Sequence, residues 1–227
     1  MVVYKFVEMS LATLQSIVKL QSKGVDPELW PRMRAPVSEQ ERQRLNFLTS
    51  YLLNTQIHRM NEATVWARAI YPLLMMAERP GIQAWAQVEL KAQYPAFSLE
   101  GTVDGVLANS LLGDPVAPFL IVTEAKRGTE GKDPQYQLYA QMLAAAWLNH
   151  QEKSETPQEI FGCYTISDSW TFACGLVSDF ETEQPVMTVS MSREYAEKTE
   201  AEAILQILKF ISGKYSLDAV REEPLAA

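Results

Sequence analysis

The spacing of apolar residues predicts that the first third of the chain is mainly helical. Leu14 and Ile17 belong to a set that recurs at helical intervals, the pattern of one buried helix face. Ser38 and Glu41 form a capping box, in which the two side chains satisfy free backbone N–H groups at a helix start. Pro72 should kink the helix that contains it. Helices are therefore expected over residues 10–23, 38–56 and 62–78.

After residue 80 the pattern changes to runs of β-branched and aromatic residues separated by turn residues. Residues 119–122 are continuously apolar, which is typical of a central strand covered on both faces. Thr199 and Glu202 form a second capping-box pattern, before the last apolar helix. The expected order is three antiparallel strands over 85–93, 99–108 and 119–126, a helix over 133–150, strands over 160–166, 169–177 and 186–191, and a helix over 199–211.

This order predicts an α/β (α+β) fold, with a central mixed sheet flanked by helices. The chain has 227 residues, of which 47% are hydrophobic, enough to bury the core of one domain over residues 1–227. Within it, residues 1–60 are expected to form a helical extension and residues 61–215 the core. The sequence contains neither a run of about 20 apolar residues nor a signal-type start, so a cytoplasmic protein without a membrane segment is expected.

Acidic and basic residues on two consecutive predicted strands form the clearest candidate site. Asp104 lies within one predicted strand, and Glu124 and Lys126 end the next. Because successive side chains of a strand point to opposite faces, Glu124 and Lys126 share a face. Two carboxylates can hold a divalent cation, and an ammonium group beside them can orient a water or offset charge on a phosphate. Together they indicate phosphodiester cleavage, although a solvated ion pair at a strand end would give the same pattern.

At these residues the chain resembles the PD-(D/E)xK nuclease superfamily, which has the restriction-endonuclease-like fold. Asp104 matches the single motif aspartate, and Glu124 and Lys126 match the E-x-K motif. Gln135 and Tyr139 match the Q-x-x-x-Y motif of the RecB-like branch. The resemblance covers residues 61–142 and implies an α-β-β-β-α-β order for the nuclease-like core.

The resemblance also implies roles for individual residues. Mg²⁺ or Mn²⁺ would be held by Asp104, Glu124 and the carbonyl of Ala125, and Lys126 would act on the water or the phosphate. Glu62 would assist around the metal, although an acid in the first turn of a helix is also what the helix dipole favours. The residues expected to bind substrate are Arg127, Gln135 and Tyr139. Gln137 and Gln141 repeat the four-residue spacing, so the sequence leaves open which glutamine matters.

Cysteine content and charge limit this interpretation. The chain has two cysteines, whereas an iron–sulfur cluster needs about four, so the cluster-containing nucleases of the Q-x-x-x-Y branch are excluded. Twenty basic and 28 acidic residues give a net charge of −8, which disfavours tight binding to phosphates. Low affinity for DNA, or a protein partner that delivers it, is therefore expected. The resemblance further implies a homodimer, because cutting both strands of DNA suits paired sites.

Two classes of function remain at this point. The first is a Mg²⁺-dependent deoxyribonuclease. The second is a catalytically inactive nuclease-like module that binds or assembles with other molecules, which the acidic composition favours. A third class, other metal-dependent phosphohydrolases, usually draws on histidine, and the chain has only two.

Overall fold

The computed structural model describes residues 1–126 and 133–214. It has an α/β architecture in which a mixed eight-stranded sheet is flanked by helices. Among the described residues, no helix is both long and apolar enough to span a membrane.

The first 60 residues differ from the predicted helical extension, because they contribute two strands to the sheet. Val18 is extended, with φ −141° and ψ 142°, so the helix predicted over residues 10–23 ends early. The following residues pair with a late strand of the sheet, and this tertiary pairing overrides the local helical pattern. The elements of this region are β1 (Val2–Lys5), α1 (Leu11–Ile17), β2 (Lys19–Val25), α2 (Leu29–Arg32) and α3 (Glu39–Leu53). The capping box of Ser38 and Glu41 at the start of α3 is confirmed.

The helix predicted over residues 62–78 is confirmed and contains an irregular turn. It consists of α4 (Glu62–Val65), a π-helical turn (Trp66–Ile70) and α5 (Tyr71–Met76). Pro72 is in the first turn of α5, directly after the π-helical turn, so the departure from a regular α-helix falls next to the proline, which lacks the N–H of a normal helical hydrogen bond. The Asn61 side chain accepts a 2.8 Å hydrogen bond from the N–H of Thr64 and caps α4.

The three strands predicted after this helix are confirmed as an antiparallel series, and each is longer than expected. They are β3 (Ile82–Gln93), β4 (Phe97–Leu111) and β5 (Asp114–Lys126). The remaining elements are α6 (Pro134–Glu152), β6 (Gln158–Ile166), β7 (Ser169–Ser178), β8 (Val186–Ala196) and α7 (Glu197–Gly213). The predicted cap of Thr199 is wrong, because α7 already begins at Glu197, directly after the last residue of β8.

The sheet has the strand order β1-β4-β5-β6-β7-β8-β2. Both β1 and β5 pair with one edge of β4, and β3 pairs with its other edge. Three neighbouring pairs are parallel, namely β1 with β4, β5 with β6 and β2 with β8. One apolar cluster lies between the sheet and α6, and a second lies between the opposite face and α3, α5 and α7. The helix α6 therefore covers one face of the strands that carry the candidate site.

Glycines let α6 lie close to this face. A Cβ atom at Gly162 of β6 would be 2.7 Å from the sulfur of Met142, and one at Gly175 of β7 would be 3.0 Å from the same side chain. Since real side chains do not approach that closely, the absence of Cβ atoms permits the short distance between helix and strands. The polar side chains of α6 can consequently reach residues of β5.

A buried acid on the opposite face makes stability dependent on pH. Glu197 is fully buried and accepts a 2.8 Å hydrogen bond from the indole N–H of Trp170. Burial, with the nearby Asp168, raises the pKa of Glu197 from 4.5 to about 8. Between these two values the folded protein keeps a proton that the unfolded chain releases, so stability falls as the pH rises through this window.

Glu197→Gln should remove this dependence, because a glutamine can still accept from Trp170 but cannot ionise. The stability gained over the wild type should grow between pH 5 and 8, approaching ~1.4 kcal/mol per pH unit. Urea unfolding at several pH values measures it, with exposed Glu194→Gln as the control. Parallel stability curves for Glu197→Gln and the wild type would contradict the prediction.

Candidate active site at a fork in the sheet

The candidate site lies where the partner strand of β4 changes. On the side of β4 away from β3, residues 105–111 pair with β5 and residues 97–100 pair with β1. Among the residues that the structure describes, none pairs as a strand with residues 101–104 on this side, which leaves a fork between β5 and β1. Asp104 lies at the apex of this fork, next to the last pair, Gly105 with Thr123. The register therefore brings Asp104 and Glu124 opposite each other.

At the apex of the fork, the Asp104 carboxylate accepts hydrogen bonds from both neighbouring strands. Its Oδ2 accepts a 2.8 Å hydrogen bond from the backbone N–H of Ala125, and its Oδ1 accepts a 3.2 Å bond from the side-chain amide of Gln87. The bond to Ala125 replaces a strand-to-strand hydrogen bond that the diverging backbones cannot make. This arrangement fixes the carboxylate beside the end of β5.

The residue after Asp104 must be small. A Cβ atom at Gly105 would lie 2.2 Å from the indole of Trp66 and 3.3 Å from the carbonyl oxygen of Trp85. Trp66, in the π-helical turn, packs over this glycine and fills the position of a side chain. The helix that carries Glu62 is thereby anchored on the strand that carries Asp104.

Glu124 is the most buried acid of the site, with 1% of its surface exposed. Its Oε2 accepts a 2.6 Å hydrogen bond from the side-chain amide of Gln141 on α6, and its Oε1 forms an ion pair with Lys126. Burial, together with the charge of Asp104, raises the pKa of Glu124 to about 7, against the opposing effects of Lys126 and Gln141. The two carboxylates are therefore close enough to repel each other.

Lys126 links the acids of the site. Its ammonium group contacts Glu124 and lies 3.8 Å from the carboxylate of Glu62 on α4. Burial lowers the pKa of Lys126, but its bond to Glu124 and the charges of Glu62 and Asp104 outweigh this effect and raise it. Lys126 is therefore a stable cation, and about a quarter of its side chain is exposed.

The donor set fits a hard divalent cation. The side-chain oxygen of Gln141 is buried without a hydrogen-bond partner, next to the carboxylate that its amide nitrogen contacts. Two carboxylates and amide oxygens are ligands suited to Mg²⁺ or Mn²⁺. Within residues 1–126 and 133–214, no group of three or more His, Cys, Asp or Glu side chains is placed to hold a metal ion. In proteins Mg²⁺ usually binds through only one or two carboxylates and keeps several waters, and Asp104 and Glu124 match that requirement.

The structure brings most of the predicted residues together. Asp104, Glu124, Ala125, Lys126 and Glu62 meet at the fork. Arg127 lies outside the described residues.

The predicted Q-x-x-x-Y pair contacts itself rather than the acids. The Gln135 side-chain amide donates a 2.8 Å hydrogen bond to the Tyr139 hydroxyl, which in turn donates to the sulfur of Met191. Tyr139 is buried, and burial raises its pKa to about 12, so it stays neutral. In the part of the chain that the structure describes, Gln141 is the glutamine of α6 that holds Glu124.

Two residues of the site carry little sequence signal. Gln141 shares its four-residue spacing with Gln137, and only the close packing of α6 selects it. Gln87 resembles any polar residue on the exposed side of a strand.

Comparison of the chain with protein-family models found no matching family, and a search of curated proteins found no relative.

Proposed function

We propose that the protein is a metal-dependent nuclease of the PD-(D/E)xK type that hydrolyses DNA phosphodiester bonds. The observation that carries this proposal is the convergence of Asp104, Glu124 and Lys126 at the fork between β5 and β1. An exposed ion pair at a strand end would not need a buried carboxylate next to a second one. Burying like charges is unfavourable, and such arrangements are typical of functional sites.

The order of elements supports the same proposal. The α5-β3-β4-β5-α6-β6 segment has the α-β-β-β-α-β order that the resemblance implies, with β6 parallel to β5. Asp104, in the interior of β4, and Glu124, near the end of β5, lie on neighbouring strands of this segment. A restriction-endonuclease-like core is therefore part of the proposal.

Each residue has a chemical task in the proposed reaction. Asp104 and Glu124, with the Ala125 carbonyl, would hold Mg²⁺ or Mn²⁺, which supplies an activated water and neutralises phosphate charge. Lys126 would orient that water or donate to a phosphate oxygen as negative charge develops. Glu62, 3.8 Å from the Lys126 ammonium, would hold the lysine in place. Gln141 would hold the Glu124 carboxylate in place through its side-chain amide.

Lys126→Ala tests the proposal without removing a proposed metal ligand. With Mg²⁺ or Mn²⁺, the wild type should cleave at least one of linear duplex, single-stranded and supercoiled DNA, and a chelator should stop it. Lys126→Ala should lower the rate by ~100-fold or more, because a cation aimed at developing charge is lost. Exposed Lys153→Ala is the matched control and should retain the wild-type rate.

The alternative is an inactive nuclease-like module, which the net charge of −8 favours because an acidic surface repels DNA. The same experiment separates the two proposals. Absence of cleavage by the wild type, with no heat of Mg²⁺ or Mn²⁺ binding in calorimetry, would overturn the enzyme proposal. The opposite result is metal-dependent cleavage by the wild type and no cleavage by a Lys126→Ala variant whose circular dichroism is unchanged. That result would overturn the proposal of an inactive module.

A further inference from the structure

Gln87 has a backbone conformation that is unusual within a strand. Its φ is +54°, in the left-handed region that residues other than glycine rarely adopt. It lies inside β3, between the pairs Ala86 with Gly105 and Val88 with Val103, and therefore directly opposite Asp104. The other non-glycine residues with positive φ in the described ranges are outside strands. Gln87 is thus a local exception at the position that faces the site.

In both β3 and β4, the alternation of side chains between the two faces of the sheet is interrupted at this position. Ala84 packs in the apolar cluster beneath α5 and α7, whereas Val88 packs in the cluster beneath α6. Regular alternation would place residues four positions apart on the same face. On β4, Val103 packs beneath α6, but Gly105 faces Trp66, which packs against the other cluster. The alternation of β3 and β4 therefore shifts at Gln87 and Asp104 together.

The shift determines where the Asp104 side chain goes. A regular strand would send it to one face of the sheet, whereas its carboxylate accepts the N–H of Ala125 on the neighbouring strand. We infer that Gln87 is a positioning residue: its left-handed backbone turns Asp104 across the fork toward β5, and its side-chain amide holds the second oxygen of the carboxylate. This inference deepens the proposed nuclease function, and only its metal-binding readout depends on that function.

Gln87→Val and Gln87→Gly separate the backbone from the side chain. Valine disfavours a positive φ, whereas glycine adopts it freely but lacks the amide. Gln83→Val is the matched control, because Gln83 is exposed on the same strand without a positive φ. Two properties are measured, namely hydrogen exchange of the Ala125 amide by NMR and the affinity for Mn²⁺ by calorimetry.

In Gln87→Val the Ala125 amide should exchange at least about tenfold faster than in the wild type, and Mn²⁺ affinity should fall by a similar factor. In Gln87→Gly and Gln83→Val the Ala125 amide should remain protected. Wild-type protection and affinity in Gln87→Val would overturn the inference.

If Gln87→Val does not fold, the exchange of the Ala125 amide is compared between Gln87→Ala and Gln87→Gly. This comparison tests the inference because alanine also disfavours the left-handed region. Faster exchange of Ala125 in the alanine variant supports the inference, and equal exchange overturns it. Absence of Mn²⁺ binding by the wild type would count against the nuclease proposal alone, because the exchange of Ala125 is measured without metal.

Discussion

Asp104→Asn should abolish metal-dependent cleavage while leaving the fold intact. The substitution removes one of two carboxylates that converge at the fork, and it can place an amide N–H group against the N–H of Ala125. We expect a rate at least ~100-fold below the wild type and a clear loss of Mn²⁺ affinity. Cleavage assays and calorimetry on the same preparations measure the two effects.

The stability of this variant should not fall in step with its activity. The charge of Asp104 raises the pKa of buried Glu124, so removing it relieves a repulsion in the folded state. We therefore expect an unfolding free energy near or above that of the wild type, a trade-off typical of functional sites. Asp114→Asn, at the exposed β4–β5 hairpin, is the matched control and should change neither property. An active Asp104→Asn would remove the aspartate from the proposed mechanism.

Gly105→Val should have the second large effect, this time on the fold around the site. Its Cβ would lie 2.2 Å from the Trp66 indole, so either the tryptophan or the strand must move. Overpacking of this kind costs about 1–3 kcal/mol of unfolding free energy. Urea unfolding measures the loss, and weaker Mn²⁺ binding should accompany it because Asp104 precedes the displaced residue.

A second substitution tests whether Trp66 is the cause. Trp66→Ala removes the indole, so in the double variant the valine at position 105 should cost less than it does alone, with a coupling of about 0.5–3 kcal/mol. Gly213→Val is the control, since a Cβ there meets no atom within 4 Å. Additive effects of Gly105→Val and Trp66→Ala would show that the clash is relieved elsewhere.

The core of the site could be predicted because short-range rules govern it. Glu124 and Lys126 share a face through the alternation of one strand, and Asp104 meets them because consecutive antiparallel strands are neighbours. Neither inference needs the rest of the fold. The same holds for α3, whose start is fixed by the local capping box of Ser38 and Glu41.

The remaining features depend on tertiary packing. Residues 19–23 read as the end of a helix, but residues 19–25 pair with β8, which lies about 167 residues later in the chain. Gln141 is chosen over Gln135 by the distance between α6 and β6, which Gly162 sets. The conformation of Gln87 follows from two strands changing faces together, which no single-strand pattern contains. Such pairings are invisible to local periodicity.

The fork also divides the sheet into two parts, whose pairing is confined to residues 105–111 of β4 and 114–123 of β5. β3, β4 and β1 form one part, β5 to β8 with β2 form the other, and the ladder between β4 and β5 joins them. Asp104 belongs to the first part and Glu124 to the second. A cation bound by both carboxylates would link the two parts of the sheet. At a cation concentration one hundred times its Kd, it would add ~2.7 kcal/mol to the free energy of unfolding. Occupancy of this one cation site would then determine both the activity of the protein and the stability of its sheet.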